Sequence, residues 1–320
     1  MSLFSFEHLK ENRINILEKL KRLDNLKSQF TISPPNTFNE KIQYRMAFDR
    51  REVLTKFVDK FQVREYVQRV CGDKYLAEIY QVVRKPEKIC WDKLPDNFIC
   101  KTNHGSGGLI GVWTGVELEA KLPVNINKLG WTRWWVHPDN FDTGAALKML
   151  NYWRKRNYAF HLGGKFEWAY KNLKRRIYIE ELLINSNGTI ASPWQFFVFS
   201  GDVKLVRLSG RDNESVRTFA YVDRDWREVL ISIGDEVNRM SQIPEVPLNF
   251  GEMLTIAKKL SSSLDFVRVD LYNLSHRIIF SELTVYPSAG MGIISPEEFN
   301  TILGSYWKIE LRDKFFDKSN

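Results

Sequence analysis

The stretch Phe266-Val267-Arg268-Val269-Asp270-Leu271-Tyr272 alternates strictly, placing Val267, Val269 and Leu271 on one face of a strand and Arg268 and Asp270 on the other. The run from Ile279 to Val285 alternates in the same way. Burying Leu283 and Val285 beside Val267 and Val269 requires a connection of odd length, such as Leu274-Ser275-His276, because a one-residue slip flips the second strand. That register brings Arg268, Asp270, Glu282 and Thr284 together. Two carboxylates so close repel unless a cation intervenes, and oxygen ligands beside an arginine suit Mg²⁺ carrying nucleotide phosphates. The alternative is an ordinary polar sheet face in solvent; Tyr272, Phe280 and Tyr286, expected on that face, favour a cleft.

A second constellation lies upstream. Lys101 sits in the apolar run Phe98-Ile99-Cys100-Lys101-Thr102, directly ahead of Asn103 to Gly111, where Gly105, Gly107, Gly108 and Gly111 allow backbone amides to approach an anion. The lysine precedes the glycines, so this is not a Walker A loop. A hairpin tip with an exposed lysine has the same composition. His104 reads as incidental or as a phosphate hydrogen-bond donor, with general base the lesser reading. Glu180 and Glu181 end the apolar run Ile177 to Leu183, where a carboxylate or backbone group could reach adenine; a surface acidic pair is the bland reading. Ser209-Gly210-Arg211-Asp212 and Arg217 form a polar segment suited to clamping an acidic substrate.

The elements that must position these groups follow from periodicity. Residues 7–27 read as an amphipathic helix and 28–38, with Ser33-Pro34-Pro35-Asn36, as a linker. Residues 49–71 read as one helix with Gly72 as its cap. Further helices are expected over 145–156 and about 251–262. Strands are expected at 176–183, 194–199 and 203–208, the last two joined by the tight turn Ser200-Gly201-Asp202. The pattern is α+β, divided into an N-terminal helix and linker (1–37), a helical lobe (38–96), a small lobe with the glycine-rich loop (97–190) and a lobe with the metal site (191–320).

Composition narrows the class. The 320 residues are 43% hydrophobic, enough for a sizeable core, and the three cysteines have no C-x-x-C spacing, which argues against disulfide or zinc scaffolds and for a reducing cytoplasm. No apolar run is long enough to span a bilayer. A net charge of +8 suits phosphate- or carboxylate-bearing partners, whereas the scattered basic residues and the lack of a binding module disfavour nucleic acid.

From about Phe38 to Trp307 the chain resembles the TupA-like branch of the ATP-grasp superfamily, proteins associated with bacterial cell-surface polysaccharide biosynthesis. The resemblance rests on Leu94-Pro95-Asp96-Asn97-Phe98 with Lys101 to Gly107, on Trp168-Ala169-Tyr170-Lys171 with Ile179-Glu180-Glu181, and on Val267 to Tyr272 with Phe280 to Thr284. It implies an ATP-grasp fold in which two α+β lobes clasp ATP. Lys101 and the loop residues His104, Gly105, Ser106 and Gly107 would attend its phosphates, with Lys171 a second nucleotide-facing lysine. Glu180, Glu181 and the backbone at Leu183 would contact adenine. Asp270 and Glu282 would hold Mg²⁺, with Thr284 where many relatives carry a metal-binding asparagine, and Arg268 near the γ-phosphate. Pro193-Trp194-Gln195 stands where the family tends to show Asp-Tyr-Lys, so either a nearby cation such as Lys204 or Arg207 substitutes for that lysine or the substrate differs.

The resemblance further implies amide formation between a carboxylate, a uronic acid of a surface glycan or its precursor, and an amine such as an amino acid, through an acyl phosphate. The protein would act peripherally to the membrane polysaccharide machinery. A sugar or amino-acid kinase on the same scaffold, and a glycosyltransferase, are the competing readings.

Overall fold

Three helices begin the main body: α1 (Phe38–Phe48), α2 (Glu52–Val58) and α3 (Val63–Cys71). The computed structural model describes residues 21, 24–30, 33–126, 129–160, 166–211, 216–234, 238–275 and 277–309, with backbone alone at 160 and 211. Most of the helix expected over 7–27 lies outside the described residues; 24–30 are helical, past the break expected at 28. After the prolines, α1 starts at a capping box. The Glu40 N–H donates to Thr37 Oγ1 at 3.3 Å and the Thr37 N–H to Glu40 Oε2 at 2.9 Å, which satisfies two otherwise orphaned donors.

The single helix expected over 49–71 is two helices. Asp59 breaks it, its Oδ1 accepting the N–H groups of Phe61 (3.0 Å) and Gln62 (3.1 Å). A short acid that captures local backbone donors favours a turn and a new helix start over continuation. These helices share a core with the second sheet: Phe38, Ile42, Leu54, Phe57 and Val67 lie in one cluster with Phe197, Phe266 and Leu283.

A first five-stranded sheet contains β1 (Ile79–Val83), β2 (Phe98–Thr102), β3 (Leu109–Val112), β4 (Arg133–Val136) and β5 (Ile177–Glu181), in the spatial order β1-β5-β2-β3-β4. β1 comes from the segment expected to be helical. Helix α4 (Thr143–Lys155) covers one face, packing Ala146, Met149, Leu150 and Trp153 on Phe98, Cys100, Ile177 and Ile179. Alternation therefore turns Ile99, Lys101, Tyr178 and Glu180 to the other face.

The second sheet, in the order β11-β10-β6-β7-β8, consists of β6 (Trp194–Phe199), β7 (Asp202–Arg211), β8 (Arg217–Val222), β10 (Phe266–Leu274) and β11 (Arg277–Thr284), all antiparallel. A two-stranded ribbon pairs β9 (Ser232–Ile233) with β12 (Ile294–Ser295). Between β6 and β7, Ser200 (φ 48°) and Gly201 (φ 81°) are both left-handed, as the expected tight hairpin requires. Helix α5 (Phe250–Leu260) buries Phe250, Met253, Ile256, Ala257 and Leu260 as one stripe against this sheet, with the Phe250 ring beside Phe196. Each large apolar side chain so buried contributes about 1.5–3 kcal/mol before entropy is counted. The last helix, α6 (Glu298–Tyr306), packs on α1.

The hairpin of β10 and β11 corrects one expectation in detail. Leu274 pairs with Arg277, leaving a connection of two residues, Ser275 and His276, rather than an odd number. The odd residue sits in the strand. Asp270 pairs with Glu282 and Leu271 with Phe280, so Ser281 is an extra residue in a β-bulge. The bulge performs the parity correction assigned to the turn, and Arg268 still faces Thr284 while Asp270 faces Glu282.

Candidate active site

A cleft separates the two sheets, lined from one side by Ile99, Lys101, Tyr178 and Glu180 to Leu183, and from the other by Tyr272, Phe280 and Ser281. Lys60, Arg64, Ala77, Ile190 and Ala191 complete its walls.

On the small-sheet wall, Ile99 pairs with Glu180 and Lys101 with Tyr178, which leaves Lys101 diagonal to Glu180 on the cleft face. Their charged groups meet at 2.5 Å, with Arg64 4.0 Å from the same carboxylate. Burial alone would strip the Lys101 proton, but the facing Glu180 outweighs it and the ammonium is held firmly charged. Glu181, next along, is tied at the rim by Arg277 (2.8 Å) and accepts the Glu78 N–H at 2.9 Å. Leu183 lines the cleft while its carbonyl accepts the Ala191 N–H.

The large-sheet wall carries the carboxylates. Arg268 grips Asp270 in a bidentate pair, Nε to Oδ1 and Nη2 to Oδ2, both at 2.7 Å. The same Nη2 reaches Thr284 Oγ1 at 3.0 Å and Glu282 Oε1 at 3.3 Å, and the Thr284 hydroxyl donates to Glu282 at 3.2 Å. Gln195 Nε2 approaches Asp270 Oδ2 at 3.4 Å. Asp270 is only 2% exposed, and burial pushes its carboxyl up to about 6 against the pull of Arg268. For Glu282 the balance reverses: burial would raise it, but Lys60 and Arg268 hold it at about 2. Asp270 and Glu282 are thus neighbouring acids driven apart by their surroundings. Tyr272 lines the cleft as expected; Phe280 also borders it, but the bulge sets it opposite Leu271 on the core face instead of the polar one, and Tyr286 is buried in the core with its hydroxyl unpaired.

Lys60 joins the two walls and was not singled out from sequence. Its Nζ donates to the Gly105 carbonyl at 2.7 Å and lies 3.4 Å from Glu282 Oε2, while its backbone N–H donates to the Asn103 carbonyl at 3.1 Å. The usable signal is Asp59, a helix-capping residue inside a helical pattern, which marks the turn that delivers Lys60 to the cleft.

The glycine loop is braced from behind. Gly105, Gly107 and Gly108 have positive φ, and a Cβ at Gly107 would stand 2.2 Å from the Trp131 carbonyl oxygen. Ser106 is exposed at the tip. His104 is 2% exposed, with Nε2 3.2 Å from the Trp153 carbonyl and Nδ1 3.4 Å from Asn103 Oδ1. Burial, with Arg175 nearby, lowers its pKa to about 4, so the ring is neutral and engaged in holding the loop. Lys171 is exposed on the turn after Tyr170 and does not line the cleft. Arg211 ends β7 opposite Arg217 in register; its side chain lies outside the described residues.

Among the described residues no group of three or more His, Cys, Asp or Glu could enclose a metal. Asp270, Glu282 and Thr284 make an all-oxygen set, the donor type that Mg²⁺ takes together with nucleotide phosphates. Arg268 is the cation paired with Asp270.

Two facing sheets, with a lysine and glycine loop on one and paired carboxylates on the other, make the ATP-grasp class of fold. A family model described as TupA-like ATPgrasp matches residues 40–308, and the chain belongs to that family. Among solved structures, D-alanine–D-alanine ligase from Bacillus anthracis is similar at 14% identity and TM-score 0.37, over 72% of this chain and 58% of that one. The same ligase from Helicobacter pylori gives 11%, 0.41, 80% and 60%, and the ADP complex of N5-carboxyaminoimidazole ribonucleotide synthetase gives 12%, 0.37, 73% and 46%. The chain thus spans about half to three fifths of these proteins. No curated protein matches it. No helix among the described residues is long and apolar enough to cross a membrane.

Proposed function

We propose that this protein is a cytoplasmic, Mg²⁺- and ATP-dependent ligase that joins a carboxylate, a uronic acid of a surface glycan or its precursor, to an amine such as an amino acid. The observation that carries this reading is Lys60, which lines the cleft together with Lys101 and reaches Glu282 at 3.4 Å, where Glu282, Arg268 and Asp270 cluster. Adenine takes the apolar end lined by Ile99, Leu182, Leu183, Ile190 and Ala191, and the phosphates run toward Lys101, Lys60 and the glycine loop. Mg²⁺ held by Asp270 and Glu282, with Thr284 beside them, supplies charge neutralisation at the transferred phosphoryl group.

A carboxylate oxygen of the acceptor attacks the γ-phosphorus; the bond to the β,γ-bridging oxygen breaks and ADP leaves with its electron pair. The amine nitrogen then attacks the acyl carbon, inorganic phosphate departs with the electrons of the C–O bond, and the amine loses its proton to phosphate or solvent. Arg268 and Lys60 offset charge that grows on the phosphoryl oxygens, a positioning and electrostatic task. The loop tethered through Lys60 keeps water from the acyl phosphate until the amine arrives.

A kinase would stop after the first step. A glycosyltransferase would need an acid pair for a sugar-diphosphate metal. The triplet Asp223-Arg224-Asp225 has that spacing, yet Asp223 Oδ1 accepts the N–H groups of Asp225 and Arg227 at 2.9 Å and forms a surface turn. The deciding experiment incubates the protein with ATP, an amino-acid panel and uronic acids labelled with ¹⁸O in the carboxylate. Free phosphate carrying one labelled oxygen, with an amide product, is expected. A stable phosphorylated product without free phosphate would contradict the ligase reading.

A further inference from the structure

The small sheet continues past the glycine loop to its edge strand, β4, and the register fixes what that edge presents to the cleft. Lys101 pairs with Leu109 and Leu109 with Arg133; Ile99 pairs with Gly111 and Gly111 with Trp135. Residues directly opposite in neighbouring strands share a face. Arg133 and Trp135 therefore lie on the cleft face, in line with Lys101 and Ile99, while Ile110 and Trp134 turn to the core under α4. Two strand spacings, about 9–10 Å, separate the backbone of Arg133 from that of Lys101 and the backbone of Trp135 from that of Ile99.

Gly111 makes room for the tryptophan. A Cβ there would stand 2.2 Å from both Cε3 and Cζ3 of Trp135, so the indole lies directly over the Gly111 backbone. Gly111 has no positive φ, unlike the loop glycines before it, and its missing side chain serves the ring. Trp135 is partly exposed and belongs to neither of the large apolar cores. Arg133, about 6–7 Å back along the same face, is exposed. Neither side chain has a hydrogen bond, ion pair or ring partner among the described residues. The cations that line the cleft are engaged: Lys101 with Glu180, Arg64 with the Ala77 carbonyl at 2.6 Å, and Lys60 with the Gly105 carbonyl and Glu282. The Arg133 charge acts on the Glu282 carboxylate of the opposite wall.

A flat aromatic ring with a cation beside it matches a pyranose that carries a carboxylate. The C–H face of the sugar buries apolar surface against the indole, and the carboxylate accepts a planar, charge-assisted fork from the guanidinium. We propose that Arg133 and Trp135 form the acceptor site, with the ring of a uronic acid stacked on Trp135 and its carboxylate paired with Arg133. The carboxylate then lies level with Lys101, the side to which the phosphates run. This inference rests on the ligase reading for the identity of the acceptor. It assigns Arg133 and Trp135 as the residues that select an acidic pyranose over a neutral sugar or a simple carboxylate.

The test titrates the full-length protein, saturated with Mg-ADP, with methyl glucuronide, methyl glucoside and acetate, which carry ring and charge, ring alone and charge alone. The wild type should bind the glucuronide about tenfold more tightly than either of the others. Arg133→Gln should weaken glucuronide binding by about tenfold, the loss of one charge-assisted interaction, and leave glucoside binding unchanged. Trp135→Leu should weaken both sugars, Trp135→Phe should recover part of that loss, and Mg-ADP affinity should stay at the wild-type value throughout. Glucuronide binding of wild-type strength in Arg133→Gln or Trp135→Leu, or no preference of the wild type for the glucuronide, would each overturn the inference. So would a loss of Mg-ADP affinity in Trp135→Phe, which would make the ring part of the nucleotide pocket. Turnover separates the two ideas. Amide formation at wild-type KM for the uronate in Arg133→Gln and Trp135→Leu sinks the acceptor site and leaves the ligase reading; glucuronide binding lost in both variants, with no amide product from the wild type, sinks the ligase reading and leaves the site.

Discussion

On the small-sheet wall, Lys101 and Glu180 pair at 2.5 Å, with Arg64 4.0 Å from the same carboxylate. On the large-sheet wall, Asp270 and Glu282 share one close arginine, and a second cation, Lys60, arrives from a different part of the chain. On the first wall the closest charge pair, Lys101 with Glu180, joins neighbouring strands of one sheet. The second gathers two acids whose proton affinities are driven in opposite directions, one to about 6 and one to about 2. Perturbed, opposed neighbours of this kind mark where charge is handled. Under the proposed function, recognition of the nucleotide falls to the first wall and handling of metal and phosphoryl to the second, with Lys60 as the tie between them.

The strongest way to break this division is at the second wall. Asp270→Asn and Glu282→Gln each remove a formal charge from the oxygen set and should lower Mg²⁺-dependent ATP turnover on the order of tenfold or more while leaving far-ultraviolet circular dichroism unchanged. Parent-like turnover in either variant would remove the metal assignment. A smaller effect is expected from the loop. Gly107→Ala places a Cβ against the Trp131 carbonyl at a positive φ of 86°, so the loop must shift and KM for ATP should rise. Gly188→Ala, at φ 80° with nothing within 4 Å, carries backbone strain alone, about 1 kcal/mol, and should leave KM unaltered. Equal KM effects from the two would show that Trp131 does not shape the loop.

An effect on stability, with no change in turnover expected at neutral pH, concerns His104. Its folded pKa is lowered from 6.5 to about 4, so between those values the unfolded chain binds a proton that the folded state does not. Stability should therefore fall as pH drops from 6.5 toward 4, by up to about 3 kcal/mol from this group. Urea unfolding of wild type and His104→Gln across that window checks it: the wild type should lose more stability on acidification than the variant. Parallel pH profiles would mean that His104 titrates normally in an open loop.

The parts legible in sequence are those whose geometry is local. Alternation in β10 and β11 brought Arg268, Asp270, Glu282 and Thr284 together correctly, because the period of a strand fixes the face of every residue in it. The place of the parity correction was not legible: a bulge at Ser281 and an odd turn satisfy the same burial pattern. Lys60 was hidden because its partners, Gly105 and Glu282, are distant in sequence and its own segment reads as continuous helix. The pairing of Gln195 with Arg207 was not legible either, because it depends on the bulge between Phe197 and Val198.

The most direct test of the two-wall account is calorimetric titration of a non-hydrolysable ATP analogue, with and without Mg²⁺, into wild type, Lys101→Met and the Asp270→Asn, Glu282→Gln double variant. The account predicts that Lys101→Met weakens nucleotide binding in both conditions, whereas the double variant binds metal-free nucleotide at least as well as wild type and loses the gain that Mg²⁺ confers. A Mg²⁺ gain of wild-type size in the double variant would contradict it.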